Sequence, residues 1–152
     1  MEIYIDGDAC PVKDEVFRVA GRHGLKTYLV SNQWLRGATS PLIERVVVAE
    51  GADAADDWIA THTREGDICI TADIPLASRC IDQGAAVLGP NGKPFTEAGI
   101  GMALATRDLM ADLRDRGEVS SSAPAFTRQD RSRFLQALEQ MIQAQKRRAA
   151  AG

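Results

Sequence analysis

The first thirteen residues constrain this chain more than any other segment, because a strand-like run passes directly into a helical pattern. Residues 3–5, Ile-Tyr-Ile, are β-branched or aromatic and are typical of a buried strand. The run ends in Asp-Gly-Asp at residues 6–8, and Pro11 then opens a segment with apolar residues at helical spacing. Asp6 and Asp8 have the same parity in an extended segment, so the pattern predicts two carboxylates at the end of the first strand.

The rest of the sequence repeats this alternation of strand and helix. Five strands are predicted, at residues 3–5, 25–31, 45–49, 67–71 and 85–88. Helices are predicted at residues 11–23, within 51–66, at 75–83, at about 97–116 and at about 128–148. The alternation favours an α/β fold with three layers, α/β/α, a mostly parallel sheet of about five strands and extra C-terminal helices.

The length and composition of the chain are typical of one globular domain. With 152 residues, 45% of them hydrophobic and 26% charged, the chain is long enough to bury a core without a disulfide or zinc. We place the domain at residues 1–148, with a linker at residues 118–124 and a disordered tail at residues 149–152. Three scattered cysteines indicate a reducing compartment. No apolar run approaches a membrane span and no signal peptide is recognised, so we expect a cytoplasmic protein without membrane contacts.

Six aspartates occupy positions near the carboxyl ends of predicted strands. They are Asp6 and Asp8 after the first strand, Asp53, Asp56 and Asp57 after the third, and Asp73 after the fourth. The carboxyl ends of parallel strands meet at one edge of the sheet, so we expect these groups to converge there.

Carboxylates without a histidine ligand favour a hard divalent cation, Mg²⁺ or Mn²⁺. The two histidines fall near predicted helix ends remote from this edge. A divalent cation polarises phosphoryl oxygens and lowers the pKa of a bound water, so the predicted chemistry is attack of water on a phosphodiester. The hypothesis assigns the metal to Asp6 and Asp73. Its shell is completed by Asp8 and by Asp57 or Asp56.

Each acid also has a purely structural interpretation. Aspartates are favoured at helix N-termini by capping and by the helix dipole, which accounts for the three acids at the start of the second helix. Asp73 and Asp8 are also candidate N-caps of the helices that follow them. Asp6 is harder to explain this way, because a strand end in the middle of a sheet offers nothing to cap.

Several residues beside this edge are candidates to contact a substrate. Thr71 and Lys13 lie close in sequence to the acids and are candidates to orient ligands or to meet a phosphate. The loop after the second strand carries Asn32, a further candidate, together with Trp34 and Arg36. An exposed Trp and Arg can stack on a base, whereas a Trp in a loop more commonly caps the core, and both interpretations stay open here.

The C-terminal segment is basic although the whole chain has a net charge of −3. Residues 128–152 contain six Lys or Arg and two acids, and six minus two gives +4. Arg131 and Arg133 are therefore candidates for phosphate contacts. The alternative interpretation is a solvated helix face.

Four segments of the chain are distinctive. They are Tyr-Ile-Asp-Gly-Asp-Ala-Cys-Pro-Val-Lys at 4–13, Gly-Ala-Asp-Ala-Ala-Asp-Asp-Trp-Ile at 51–59, Gly-Asp-Ile-Cys-Ile-Thr-Ala-Asp-Ile-Pro-Leu-Ala at 66–77 and Asp-Arg-Ser-Arg-Phe at 130–134. They resemble the YaiI/YqxD family, and that family is similar to the PIN-like nuclease superfamily. PIN-like nucleases hold Mg²⁺ or Mn²⁺ with an aspartate after the first strand, an acid on a helix and an aspartate after the fourth strand. The resemblance implies a PIN-like domain with these catalytic roles at Asp6, at Asp57 or Asp56, and at Asp73.

Three function classes follow from these observations. The first is a metal-dependent phosphodiesterase or ribonuclease that acts on RNA or single-stranded nucleic acid. The second is a phosphatase with Asp6 as aspartyl nucleophile, although the acid pair Asp56-Asp57 precedes Thr71, which is the wrong order for such enzymes. The third is a non-catalytic module that binds nucleic acid or protein and keeps its acids for stability.

Overall fold

One six-stranded sheet forms the centre of the structure. This computed structural model describes residues 1–7, 10–51, 53–102 and 127–151. The strands are β1 (Ile3–Asp6), β2 (Thr27–Ser31), β3 (Ile43–Val47), β4 (Ile68–Ile70), β5 (Ala86–Leu88) and β6 (Pro94–Phe95). Their order is β3-β2-β1-β4-β5-β6, with β1 to β5 parallel and β6 antiparallel to β5. The prediction of a mostly parallel sheet is confirmed, and β6 is added to the five strands expected.

Helices cover both faces of the sheet. They are α1 (Lys13–His23), α2 (Ala54–His62), α3 (Ile74–Asp82), α4, which is described at residues 97–102, and α5 (Arg128–Ala151). The helices α1 and α5 pack on one face and α2 and α3 on the other. The predicted three-layer α/β/α arrangement is therefore confirmed.

Side chains of the central strand alternate between the two cores. Ile3 and Ile5 of β1 pack with α1 and α5, whereas Tyr4 packs with α2 and α3. The strand β4 is buried along its whole length. Burial on both faces explains why these strands are almost continuously apolar in sequence.

The strand order reverses between β1 and β4. From β1 the chain adds β2 and β3 on one side, then returns to place β4 directly against β1 and β5 beyond it. Ile5 of β1 lies opposite Leu29 of β2 and Ile70 of β4. Ligands of parallel α/β sheets bind outside the carboxyl ends of the strands at such a switch point. The ends of β1 and β4 are therefore the part of the fold best placed to form a site.

Helix ends follow the local sequence signals with small shifts. The helix α1 begins at Lys13 rather than Pro11, and it is closed by Gly24, whose φ of 68° lies in the left-handed region that glycine tolerates. The helix α5 runs to Ala151, three residues beyond the domain end expected at residue 148. Alanine has the highest helix propensity, which explains the extension.

Two other predicted elements, the third strand and the fourth helix, differ from the structure or are described only in part. The strand β3 begins at Ile43, two residues earlier than predicted, because Ile43 pairs with Thr27 and packs against the core beside α1. The helix predicted at about 97–116 is helical over residues 97–102, and its remainder and the linker at 118–124 lie outside the described residues. Within the described ranges, no helix has the length and apolar character needed to span a membrane.

Candidate acidic site at the switch point

A threonine joins the ends of the two central strands. Thr71 follows β4, and its Oγ1 donates a hydrogen bond to Asp6 Oδ2, the last residue of β1, at 3.0 Å. The same oxygen accepts a hydrogen bond from the backbone N–H of Asp73 at 2.9 Å. Thr71 is only 2% exposed, so this link is protected from solvent. Asp6 and Asp73, 67 positions apart in sequence, thus lie on either side of one hydroxyl group.

Asp73 is also the N-cap of α3. Its Oδ1 accepts a hydrogen bond from the backbone N–H of Leu76 at 2.8 Å, and its backbone is extended. The structural interpretation of this residue is therefore confirmed. A carboxylate has about four lone-pair positions on two oxygens, so one capping bond is compatible with a second role.

The acid that α2 contributes to this region is Asp56. Burial, followed in order of size by the negative charges of Asp73, Asp6 and Asp53, raises the pKa of the Asp56 carboxyl to about 6. Asp56 lies in the first turn of α2, which follows the carboxyl end of β3, so it belongs to the same edge of the parallel sheet as Asp6 and Asp73. We call Asp6, Asp56, Thr71 and Asp73 the acidic junction.

Asp57, the alternative helix acid, faces away from the acidic junction. Its Oδ1 lies 2.8 Å from Arg79 Nη1 of α3, and its side chain is 63% exposed. Consecutive helical residues point about 100° apart, which separates Asp57 from Asp56. Of the two acids that the sequence leaves open on α2, Asp57 is thus the one paired with Arg79 at the surface, and Asp56 is the more buried one. Asp53 makes no capping bond with its side chain among the described residues, so N-capping does not explain it.

The chain is similar in sequence to one protein family over nearly its whole length. A sequence model described as "Uncharacterized BCR, YaiI/YqxD family" matches residues 4–144. The chain belongs to the YaiI/YqxD family. A UPF0178 protein of Paramagnetospirillum magneticum is 60% identical over 96% of this chain and 97% of its own. A UPF0178 protein of Rhodopseudomonas palustris strain BisB5 is 57% identical over 97% of this chain and 90% of its own. No solved structure matches the chain.

The basic segment of this YaiI/YqxD family member starts at the edge that carries the acidic junction. Arg131 Nε lies 3.2 Å from Glu15 Oε1 in the first turn of α1, and further along α5 the Glu139 carboxylate lies 2.9 Å from His23 Nε2 at the end of α1. The two helices therefore run side by side in the same direction. Since α1 begins where β1 ends, the N-terminus of α5, including Arg133, lies at the same edge as Asp6.

The other predicted substrate residues have different surroundings. Arg133 Nη1 lies 3.4 Å from Asp130 Oδ1 in an exposed pair, and Arg131 is the partner of Glu15. Lys13 is the first residue of α1, and Asn32 is exposed in the loop that follows β2. Asp8 lies outside the described residues.

Sequence reasoning did not single out Glu15, although its carboxylate is buried beside the edge. The residue is 8% exposed, and its Oε2 has no hydrogen-bond partner among the described residues. A signal was present, because Glu15 lies three residues after Val12 and four before Val19 on the apolar face of α1. An acid at such a position requires a partner, and Arg131 provides it.

The donor chemistry of the acidic junction fits Mg²⁺ or Mn²⁺, since all of its side-chain donors are oxygens. Among the residues that the structure describes, no three or more His, Cys, Asp or Glu are grouped as a ready metal site. Mg²⁺ is commonly held by only one or two carboxylates together with waters and substrate phosphates. Asp6 and Asp73 supply that number.

Proposed function

We propose that the acidic junction binds Mg²⁺ or Mn²⁺ and supports hydrolysis of a phosphodiester in RNA or single-stranded nucleic acid. The observation that carries the proposal is the hydrogen-bonded link from Asp6 through Thr71 to Asp73 at the switch point. It joins the Asp6 carboxylate to the backbone of a second aspartate from a distant part of the chain, at the place where parallel α/β folds bind ligands.

The charges of the acidic junction support a cation. The pKa of Asp56 is raised partly by Asp73 and Asp6, which means that the carboxylates repel one another. A divalent cation between them relieves this repulsion. When bound, such a cation neutralises phosphoryl oxygens and lowers the pKa of a water.

The protein residues have distinct parts in this proposal. Asp6 and Asp73 hold the cation, and Asp56 completes its negative surroundings. Thr71 fixes the orientation of the Asp6 carboxylate through the bond to Oδ2. Preorientation of this kind matters because a metal ligand that must first rotate loses affinity.

The basic start of α5 is suited to the phosphate backbone of the substrate. Arg133 is 52% exposed in its side chain, and its partner Asp130 is at the surface. Exposed ion pairs contribute little free energy, so Arg133 can exchange this partner for a phosphate at small cost. Arg131 has a more structural role, because it compensates the buried charge of Glu15.

The test is cleavage of a 5′-labelled single-stranded RNA in Mn²⁺, in Mg²⁺ and in EDTA. Asp6→Asn combined with Asp73→Asn removes both charges, and Asn at position 73 preserves the N-cap because Asn caps as well as Asp. We expect cleavage by the wild type with metal and a loss of about 100-fold or more in the variant, in the range found when charge stabilisation is removed. The matched control is Asp82→Asn, an exposed aspartate at the opposite end of α3.

Three outcomes would reject the proposal. Equal cleavage by the wild type and by the double variant would place the activity elsewhere. Absence of cleavage in every metal, with intact binding of nucleic acid, would instead support the non-catalytic module. A covalent aluminium or beryllium fluoride adduct on Asp6 would identify the phosphatase alternative.

A further inference from the structure

The loop between β2 and β3 leaves the sheet near the acidic junction and presents an exposed indole. Trp34 is 66% exposed, which is unusual for a tryptophan. The loop begins at Asn32, directly after β2. Because Asp6 of β1 pairs in register with Val30 of β2, the loop leaves the sheet next to Asp6.

Arg45 of β3 holds this loop through hydrogen bonds to its backbone. Its Nε donates a hydrogen bond to the backbone carbonyl of Leu35 at 2.7 Å, and its Nη2 donates to that of Ala38 at 2.8 Å. The guanidinium carbon lies 5.5 Å from the centre of the Trp34 ring and 6.0 Å from that of Phe17. One arginine therefore connects the core, the loop backbone and the exposed indole.

Two further contacts attach the loop to the edge that carries the acidic junction. A Cβ on Gly7 would lie 3.0 Å from Leu35 Cδ1, so the loop packs against the residue that follows Asp6. At Gly37, whose φ is 143°, an added Cβ would lie 4.0 Å from Lys13 Cε at the start of α1. The indole is thus held on an anchored loop that packs against Gly7, next to Asp6, and approaches Lys13 at the start of α1.

We propose that Trp34 and Arg45 form a stacking subsite for an unpaired base of a nucleic acid whose backbone reaches the acidic junction. This inference rests on the proposed function and names single-stranded nucleic acid as its substrate class. An exposed aromatic ring next to the fixed guanidinium of Arg45 matches the two features of a nucleotide, a flat base and an anionic phosphate. Bases within a duplex are stacked on one another and do not reach an isolated indole.

The chain offers a direct optical test, because it contains two tryptophans. The second, Trp58, is partly buried and stacks on His62 with 3.8 Å between ring centres. Trp58→Phe keeps an aromatic ring in that cluster and leaves Trp34 as the only indole. We expect single-stranded RNA of about 12 nucleotides to quench this fluorescence to saturation in EDTA, where binding is read without cleavage. A duplex of the same sequence should quench weakly.

Affinity for a fluorescein-labelled single strand supplies the second measurement. We expect Trp34→Ala to weaken binding by roughly five- to 150-fold, the range for one base stacked on an aromatic side chain. Trp34→Phe should retain most of the affinity, and Trp58→Phe should bind like the wild type. Circular dichroism of each variant checks that the fold is intact.

Three results would overturn the inference. They are wild-type affinity in Trp34→Ala, equal quenching by duplex and single strand, and no quenching by nucleic acid, the last being expected if the indole serves a protein partner. The two proposals fail separately. Binding that depends on Trp34 without any metal-dependent cleavage would reject the proposed function and leave the stacking subsite standing. Cleavage that depends on Asp6 and Asp73, with an affinity that does not change in Trp34→Ala, would reject the stacking subsite and leave the proposed function standing.

Discussion

Asp56 and Asp57 are adjacent on α2 but belong to different surroundings. Burial and the charges of Asp73 and Asp6 raise the pKa of the Asp56 carboxyl, whereas Asp57 Oδ1 lies 2.8 Å from Nη1 of the exposed Arg79 on α3. The rotation of α2 therefore decides which of two neighbouring acids belongs to the acidic junction, and the two residues form a matched pair for experiments.

Removal of the Asp56 charge should stabilise the metal-free protein at alkaline pH. The folded-state pKa of Asp56 is raised from 3.8 to about 6, so the folded state binds this proton more tightly than the unfolded state. The contribution of the protonated Asp56 carboxyl to the free energy of unfolding is complete below pH 3.8. It is lost as the pH rises through about 6. In EDTA at pH 8, Asp56→Asn should gain about 1 kcal/mol after allowance for solvent screening, or about 2–4 °C in Tm. At pH 3.5 it should match the wild type.

The control for this experiment is Asp57→Asn, which removes only an exposed ion pair. Its effect on Tm should stay small and should not change with pH in this way. Addition of Mn²⁺ at pH 8 should reverse the order, because the cation favours the wild-type carboxylate. Identical pH profiles for the two variants would show that Asp56 does not face Asp6 and Asp73.

Thr71→Val should destabilise the protein and weaken its response to metal. Valine has a similar shape but no hydroxyl group, so the Asp73 N–H loses its acceptor and Asp6 Oδ2 loses its donor. Leaving buried polar groups without a partner lowers the free energy of unfolding by about 1–3 kcal/mol. Thr71→Ser keeps the hydroxyl and should lose less. Urea unfolding measures the stability, and the rise of Tm on addition of Mn²⁺ measures the metal response. A Val variant with an unchanged Mn²⁺ response would mean that the orientation of Asp6 does not matter.

Gly7→Ala should destabilise the protein by about 1–3 kcal/mol through overpacking. An added Cβ would lie 2.8 Å from Leu29 Cδ1 and 3.0 Å from the carbonyl oxygen of Val30. Gly21→Ala is the matched control, since nothing lies within 4 Å of its Cβ position in α1, and it should stabilise by about 1 kcal/mol through helix propensity. Chemical denaturation of both variants checks the opposite signs. Equal effects would contradict the close approach of the loop and β2 to Gly7.

Arg131→Met should cost more stability than Arg133→Met. Arg131 pairs with the carboxylate of Glu15, whose side chain is only 10% exposed, whereas Arg133 pairs with Asp130 at the surface. We expect a loss of about 1–3 kcal/mol in the first case and less than about 1 kcal/mol in the second. Glu15→Gln added to Arg131→Met should restore part of the loss, because it removes the uncompensated charge. Failure of this rescue in urea unfolding would show that the charge of Glu15 is not the cause.

Local signals predicted most of the fold. The run Ile3 to Ile5, the left-handed Gly24 and the N-cap at Asp73 each depend on residues close in sequence, so their patterns identified strand, helix end and helix start. The strand β6 was missed because two residues, Pro94 and Phe95, are too few for a period to appear.

Tertiary packing decided what the sequence pattern left open. The bond from Thr71 to Asp6 joins residues 65 positions apart and exists only because β4 lies against β1. The choice between Asp56 and Asp57 depends on how Ala55 and Ile59 seat α2 on the sheet. Neither relationship can be predicted from the local periodicity of the sequence.

The burial of α5 has a consequence for how the protein is made. Phe134, Leu138 and Ile142 occur every fourth residue and complete the core that contains Ile3 and Ile5. During synthesis these first strands leave the ribosome long before residue 142 does, and the part of their face that α5 covers stays exposed in the meantime. A nascent chain thus exposes an apolar surface of the kind that chaperones bind until residues 134–142 have been made.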